Sequence, residues 1–169
     1  NLIVVGQNSQ ATVIETYIGP PDVTYLTNGV TEISIGKDAQ LFLHRLTLEG
    51  NRAFHVGATH VNQDSDSELC GLSFSKGSLI SRNNLSVQLD SPGSTCLLSG
   101  LYIGCGNEHI DNNVNVCHQQ PNTKSRLYYK GVLEDSSRAI FGGTVLVAKD
   151  AQKSDSQQTD KNLLLSKDA

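Results

Sequence analysis

The sequence predicts an all-β chain wound as a flattened two-sheet solenoid, and three observations lead to that class. Apolar residues alternate with period two, and turn signals recur at near-constant spacing. No stretch of a dozen residues carries the i, i+3, i+4, i+7 stripe of an amphipathic helix. Composition agrees. The 169 residues include 18 serines, 15 glycines and 13 asparagines, while charged residues make up only 18% and aromatics 5%. A helical bundle would need Ala, Glu, Lys and Leu in greater bulk.

The strand signals are short and rich in apolar or β-branched residues. They run from Leu2-Ile-Val-Val5 through Ala11-Thr-Val-Ile14 and Leu41-Phe-Leu43 to Thr144-Val-Leu-Val147 and Asn162-Leu-Leu-Leu-Ser166. Leu85, Val87 and Leu89 share one face, with Ser86 and Gln88 opposite. Val114 and Val116 do the same around Asn115, which sends His118 inward and Cys117 outward. A turn is expected over Asp111-Asn-Asn113.

Turns supply the period. Markers fall at Gly36, Asp64, Pro92, Pro121 and Asp150, a nearly even step of roughly 28 positions. An interleaved set at Gly50, Gly77, Gly106 and Asp135 keeps the same step. Two turns per period fit a coil that lays one strand on each of two sheets. A β-sandwich would turn at shorter intervals and favour tight hairpins. Asn28-Gly29 is the one Asn-Gly pair, and there is no Asp-Gly. The chain reads as one domain over residues 1–169. The lack of any methionine and the late strand at Asn162–Ser166 suggest a piece of a longer chain.

A formal charge of −4 leaves no electrostatic footprint for nucleic acid, and no apolar run resembles a signal core or a membrane span. The spacing of the four cysteines, Cys70, Cys96, Cys105 and Cys117, matches no zinc module and contains no C-x-x-C. Reduced thiols in a reducing compartment are expected. Cys117-His118 is the most suggestive dipeptide, since both side chains ligate transition metals, but neighbours on a strand face apart. His55 and His60 also face apart, whereas His109 and Asp111 share a face and could pair; packing or local hydrogen bonding is the reading for each.

No catalytic set emerges. There is no G-x-S-x-G elbow and no Walker lysine motif, and Gly104-Cys-Gly106 is too short for a dinucleotide loop. Glu134, Asp135 and Arg138 read as a solvated turn. The enzymatic or sugar-binding alternative, a carbohydrate-active or carbohydrate-binding solenoid, needs two carboxylates facing one groove. Glu15, Glu32 and Glu68 provide no evident pair.

Residues 122–166 then become recognisable. Asn122-Thr-Lys-Ser-Arg-Leu-Tyr-Tyr-Lys-Gly131, Ser137-Arg-Ala-Ile-Phe-Gly-Gly143, Val147-Ala-Lys-Asp-Ala-Gln-Lys-Ser-Asp155 and Asn162-Leu-Leu-Leu-Ser166 together resemble the core domain of the SufB/SufD family of iron–sulfur cluster assembly proteins. Ala151-Gln-Lys-Ser-Asp155, with no cysteine after Cys117, is closer to the SufD branch. The N-terminal run and Ala11-Thr-Val-Ile-Glu-Thr-Tyr17 resemble the family's entry into that core.

The resemblance implies a right-handed parallel β-helix and a non-catalytic scaffold subunit of a SufBCD complex, in a cytoplasm or plastid stroma. It implies a SufB-like partner and a SufC-like ABC ATPase, with an iron–sulfur cluster bound transiently by the full complex and no cofactor resident in residues 1–169. Helical regions are expected on either side of the core. The family's Cys-x-His-Gly-Ala-Thr motif would follow Ala169, so Cys117 and His118 remain only weak candidates for cluster binding. No catalytic or resident metal residue is expected, and exposed solenoid ends could support self-association.

Overall fold

A computed structural model describes residues 1–169. Twelve strands alternate between two six-stranded sheets, and every ladder is parallel. The first sheet holds β1 (Leu2–Val5), β3 (Leu26–Ile35), β5 (Phe54–Gln63), β7 (Ile80–Leu89), β9 (His109–His118) and β11 (Arg138–Val147) in that order. The second holds β2 (Gln10–Ile18), β4 (Gln40–Leu48), β6 (Glu68–Lys76), β8 (Thr95–Gly104), β10 (Lys124–Leu133) and β12 (Asp155–Leu164). This is a six-coil β-solenoid. The registers Phe54↔Ile80 and Lys124↔Asp155 mark its shortest and longest coils, and they bracket the period read from the turns.

The corners explain that period. Between first-sheet and second-sheet strands, Asn8, Asp38, Asp66, Gly93, Asn122 and Lys153 all adopt positive φ, from 55° to 79°. Asn and Asp tolerate this region, and Gly enters it freely. The ladder continues through the bend: Asn8 N donates to Lys37 O, Asp38 N to Ser65 O and Asp66 N to Pro92 O. At the inner side of four of these six bends a small hydroxyl caps a carbonyl three residues back, as Ser67 Oγ does on Asp64 O and Ser94 Oγ on Ser91 O. Both are buried.

Inside, the lumen divides lengthwise. Ile33, Ile35, Val61, Val87 and Leu89 meet Leu41, Leu43, Leu69, Leu98 and Leu127 to form a mostly apolar half, which also buries Gln63, His118 and Ser125. The other half joins the starts of the first-sheet strands to the ends of the second-sheet strands. It is lined by Thr27, His55, Thr59 and Asn83 opposite Glu15, Arg45, Thr47 and Ser75. Asp111-Asn-Asn113 is not a turn: β9 runs through it, because Asn112 stacks on Asn83 of the preceding coil with its Oδ1 3.5 Å from Asn83 Nδ2. The strand runs on, with this one amide contact between coils, where sequence propensity favours a bend.

Candidate functional site

The polar half of the lumen holds two clusters of buried titratable side chains. Glu15 on β2 and Arg45 on β4 are register partners one coil apart. Arg45 Nε and Nη2 donate to Glu15 Oε2 at 2.9 and 2.6 Å, with side chains only 13% and 14% exposed. Tyr17 Oη, Thr31 Oγ1 and Asn1 Nδ2 donate to Glu15 Oε1. Burial works to raise the Glu15 carboxyl pKa, but the Arg45 charge and these hydrogen bonds outweigh it, and the pKa falls. Burial and the Glu15 carboxylate push the Tyr17 phenol up.

A second cluster centres on Glu49, which follows β4. His55 Nδ1 lies 2.9 Å from Glu49 Oε2, and both side chains are almost fully buried. Thr27 Oγ1 donates to Glu49 Oε1, and Ser78 Oγ approaches Oε2 at 3.4 Å. The Tyr17 ring packs edge-on against the His55 imidazole with centroids 4.8 Å apart. The result is a carboxylate–imidazole dyad with His55 Nε2 free of any protein partner. Such a dyad orients an imidazole for base or ligand chemistry. No hydroxyl or thiol is hydrogen-bonded to the imidazole, and no three His, Cys, Asp or Glu side chains gather in a metal-binding group.

Cys117 and His118 lie where alternation sends them, on opposite faces of β9. His118 is fully buried in the lumen, its Nδ1 2.7 Å from Thr123 Oγ1 and its Nε2 2.9 Å from Ser125 Oγ. Burial lowers its pKa, against a weaker opposing pull from Asp155. Cys117 lies on the outer face yet is only 8% exposed, with Gln119 Nε2 3.2 Å from its Sγ. Burial and Asp90 raise its thiol pKa. Burial likewise pushes Cys70 up to about 11 and Cys96 to about 12, and it raises Cys105. All four cysteines are free thiols, and none gains thiolate character.

His60 faces outward and is exposed, opposite in direction to His55. Asp111 does not pair with His109; Arg82 Nη1, from the neighbouring coil, takes its carboxylate at 2.9 Å. Glu134 and Asp135 lie exposed at a corner, where Asp135 Oδ2 accepts from Gly106 N. Glu15 points into the lumen, whereas Glu32 and Glu68 belong to different sheets, so these three form no common groove.

Sequence reading misses both lumenal clusters. The signal is present for one of them: Glu15 and Arg45 stand one period apart along the chain.

A six-coil parallel solenoid with a partly polar lumen defines a β-helix domain. The family model for the SUF system FeS cluster assembly SufBD core domain matches residues 1–169, and the chain belongs to that family. It is 29% identical over 163 residues to the iron–sulfur cluster assembly protein SufD of Escherichia coli (strain K12), which covers 96% of this chain and 38% of that protein. It is 28% identical over 176 residues to the SufBD family protein slr0076 of Synechocystis, covering 99% and 39%. The chloroplastic protein ABCI7 of Arabidopsis thaliana is 27% identical over 165 residues, covering 96% and 35%. The chain thus spans well under half the length of these relatives.

Proposed function

We propose that this chain is the core of a non-catalytic scaffold subunit in iron–sulfur cluster assembly, pairing with a SufB-like subunit and a SufC-like ABC ATPase. Its membership of the SufBD family over all 169 residues carries this reading. The similarity to SufD of Escherichia coli favours the SufD branch. The chemistry of the interior agrees with a structural role. Its two buried carboxylates are engaged by Arg45 and His55, and its thiols are held protonated. The relatives come from bacteria and a chloroplast, which supports a cytoplasmic or stromal setting. No helix is long and apolar enough to cross a membrane.

The test is to co-express the full protein carrying this segment with a SufB-like and a SufC-like chain from the same source. A stable three-component complex is expected, with ATP hydrolysis confined to preparations containing the SufC-like chain. Hydrolysis by the purified protein alone, or failure to join either partner, would overturn the proposal.

A further inference from the structure

We propose that the outer face of the second sheet docks an amphipathic helix of a partner protein, one whose apolar stripe is bordered by acidic residues. That surface lies apart from the assembly role proposed above and does not depend on it. Strands of this sheet break the alternation that marks a solvated face. Leu41-Phe-Leu43 on β4 and Leu97-Leu98 on β8 are continuous apolar runs, the pattern of parallel strands covered on both sides. Leu41, Leu43 and Leu98 fill the lumen. Phe42 and Leu46 on β4, Leu72 and Phe74 on β6, and Leu97 and Leu101 on β8 point outward. Register sets Leu46, Phe74 and Leu101 in one row, Phe42 and Leu97 in another through Cys70, and Leu72 between the two. Leu72 and Leu97 are each 46% exposed. The first sheet differs: Arg82, Asn84, Asp111 and Asn113 occupy the outer face of β7 and β9.

This apolar panel has the footprint of one helix. Strands about 4.8 Å apart, with a rise of about 3.3 Å per residue, make it about 10 Å across and about 13 Å along the strands. An α-helix is about 10 Å wide, and about two and a half turns fill that length. Helices are also the elements that cover parallel sheets. Charge supplies the rest of the partner's description. On β10 the three rows continue as Arg126, Tyr128 and Lys130, and Lys161 of β12 lies beside Lys130 in register. Arg126 is matched by Asp155, but Lys130 and Lys161 are exposed and join none of the ion pairs. Like charges side by side on a sheet repel until a carboxylate arrives between them. The face has no such group to spare. Glu68 accepts from Gln40 Nε2 and Cys70 Sγ, and Asp155 holds Arg126. A second copy laid face to face would therefore add no free carboxylate, and the acidic groups come with a different chain.

The test uses the full protein carrying this segment and two designed helical peptides that share one leucine stripe, bordered by Glu in the first and by Lys in the second. Fluorescence anisotropy should show saturable binding of the Glu peptide and roughly tenfold weaker binding of the Lys peptide. Leu72→Glu should abolish binding with the melting temperature unchanged, and Leu97→Glu repeats the test if that variant does not fold. Lys130→Glu combined with Lys161→Glu should reverse the preference between the peptides. Failure of both peptides to bind, equal affinity for the two, or full binding by Leu72→Glu would overturn the proposal. Two other outcomes overturn it by naming a different occupant. A dimer in sedimentation that Leu72→Glu dissolves would assign the panel to a second copy. Cross-links from a photoreactive residue at position 72 to the protein's own chain would assign it to an intramolecular cover.

Discussion

Arg45 donates from both Nε and Nη2 to the single oxygen Oε2 of Glu15 inside the solenoid, an ion pair that links β2 to β4 with Nη2–Oε2 at 2.6 Å. Removing one partner leaves a buried charge without its counterion, which costs about 3–5 kcal/mol. Arg45→Met should therefore destabilise the protein strongly in denaturant titrations. Glu15→Leu combined with Arg45→Met should recover most of the loss, since an apolar pair of similar volume removes the charge altogether. The Glu15 pKa is lowered from 4.5, so its stabilising contribution is fully present above the unfolded value and fades as pH falls through the folded one. A double variant no less stable than the parent is compatible with this account; one as unstable as Arg45→Met is not.

Gly93 is held at φ +79°, and a Cβ there would approach Asp66 Oδ1 to 2.1 Å. Left-handed backbone costs an L-residue roughly 1–2 kcal/mol before any clash. Gly93→Ala should lower the melting temperature by several degrees. Gly106→Ala provides the control: it is also left-handed, at φ +61°, but has nothing within 4 Å. Equal losses at both sites would show that the Asp66 contact is immaterial.

The fold is legible because the corners repeat: Gly36, Asp64, Pro92, Pro121 and Asp150 all fall at or beside the bends that separate the two sheets. The mostly apolar half of the lumen is legible too, since Leu85, Val87 and Leu89 alternate with polar neighbours and face inward. The polar half is hidden by the same rule. Period-two reading assigns polar residues to solvent, yet Glu15, Arg45, Thr31 and Thr59 point in, while Ile14 and Val30 point out and are 66% and 52% exposed. Inverted parity in half of each coil makes an inward carboxylate look like a surface one. Glu49 is invisible for a different reason. It lies after a strand, where no alternation applies, and its partner His55 is brought to it by the corner.

His118 should impose an acid-sensitive step on stability. Burial lowers its pKa below 6.5, so the unfolded chain binds a proton at a higher pH than the folded one. Stability therefore falls as pH drops through the window between those two values, and the full penalty is present below the folded pKa. His118→Gln should flatten the stability profile below pH 6.5 while retaining hydrogen-bond capacity toward Thr123 and Ser125. An unchanged slope in denaturation midpoints across that range would assign the acid sensitivity to other groups.

Cys117 and His118 are adjacent in sequence and opposed in space, and that geometry predicts the outcome of removing the thiol. Both His118 nitrogens are engaged by hydroxyls inside the lumen, while Cys117 Sγ lies on the outer face beside Gln119. One ion cannot be ligated by both without breaking β9 out of its ladders to β7 and β11. The thiol is also a poor ligand as it stands, because burial and the Asp90 carboxylate disfavour the thiolate that binds metal. Cys117→Ser in the full protein should therefore leave anaerobic iron and sulfide incorporation unchanged, read as visible absorbance per protein and as bound iron. The expected cost is a modest loss of packing, on the order of 1 kcal/mol, for a buried sulfur replaced by a hydroxyl. Loss of a stoichiometric chromophore in the variant, with folding intact by circular dichroism, would instead make Cys117 a cluster ligand and require this strand to rearrange when the cluster binds.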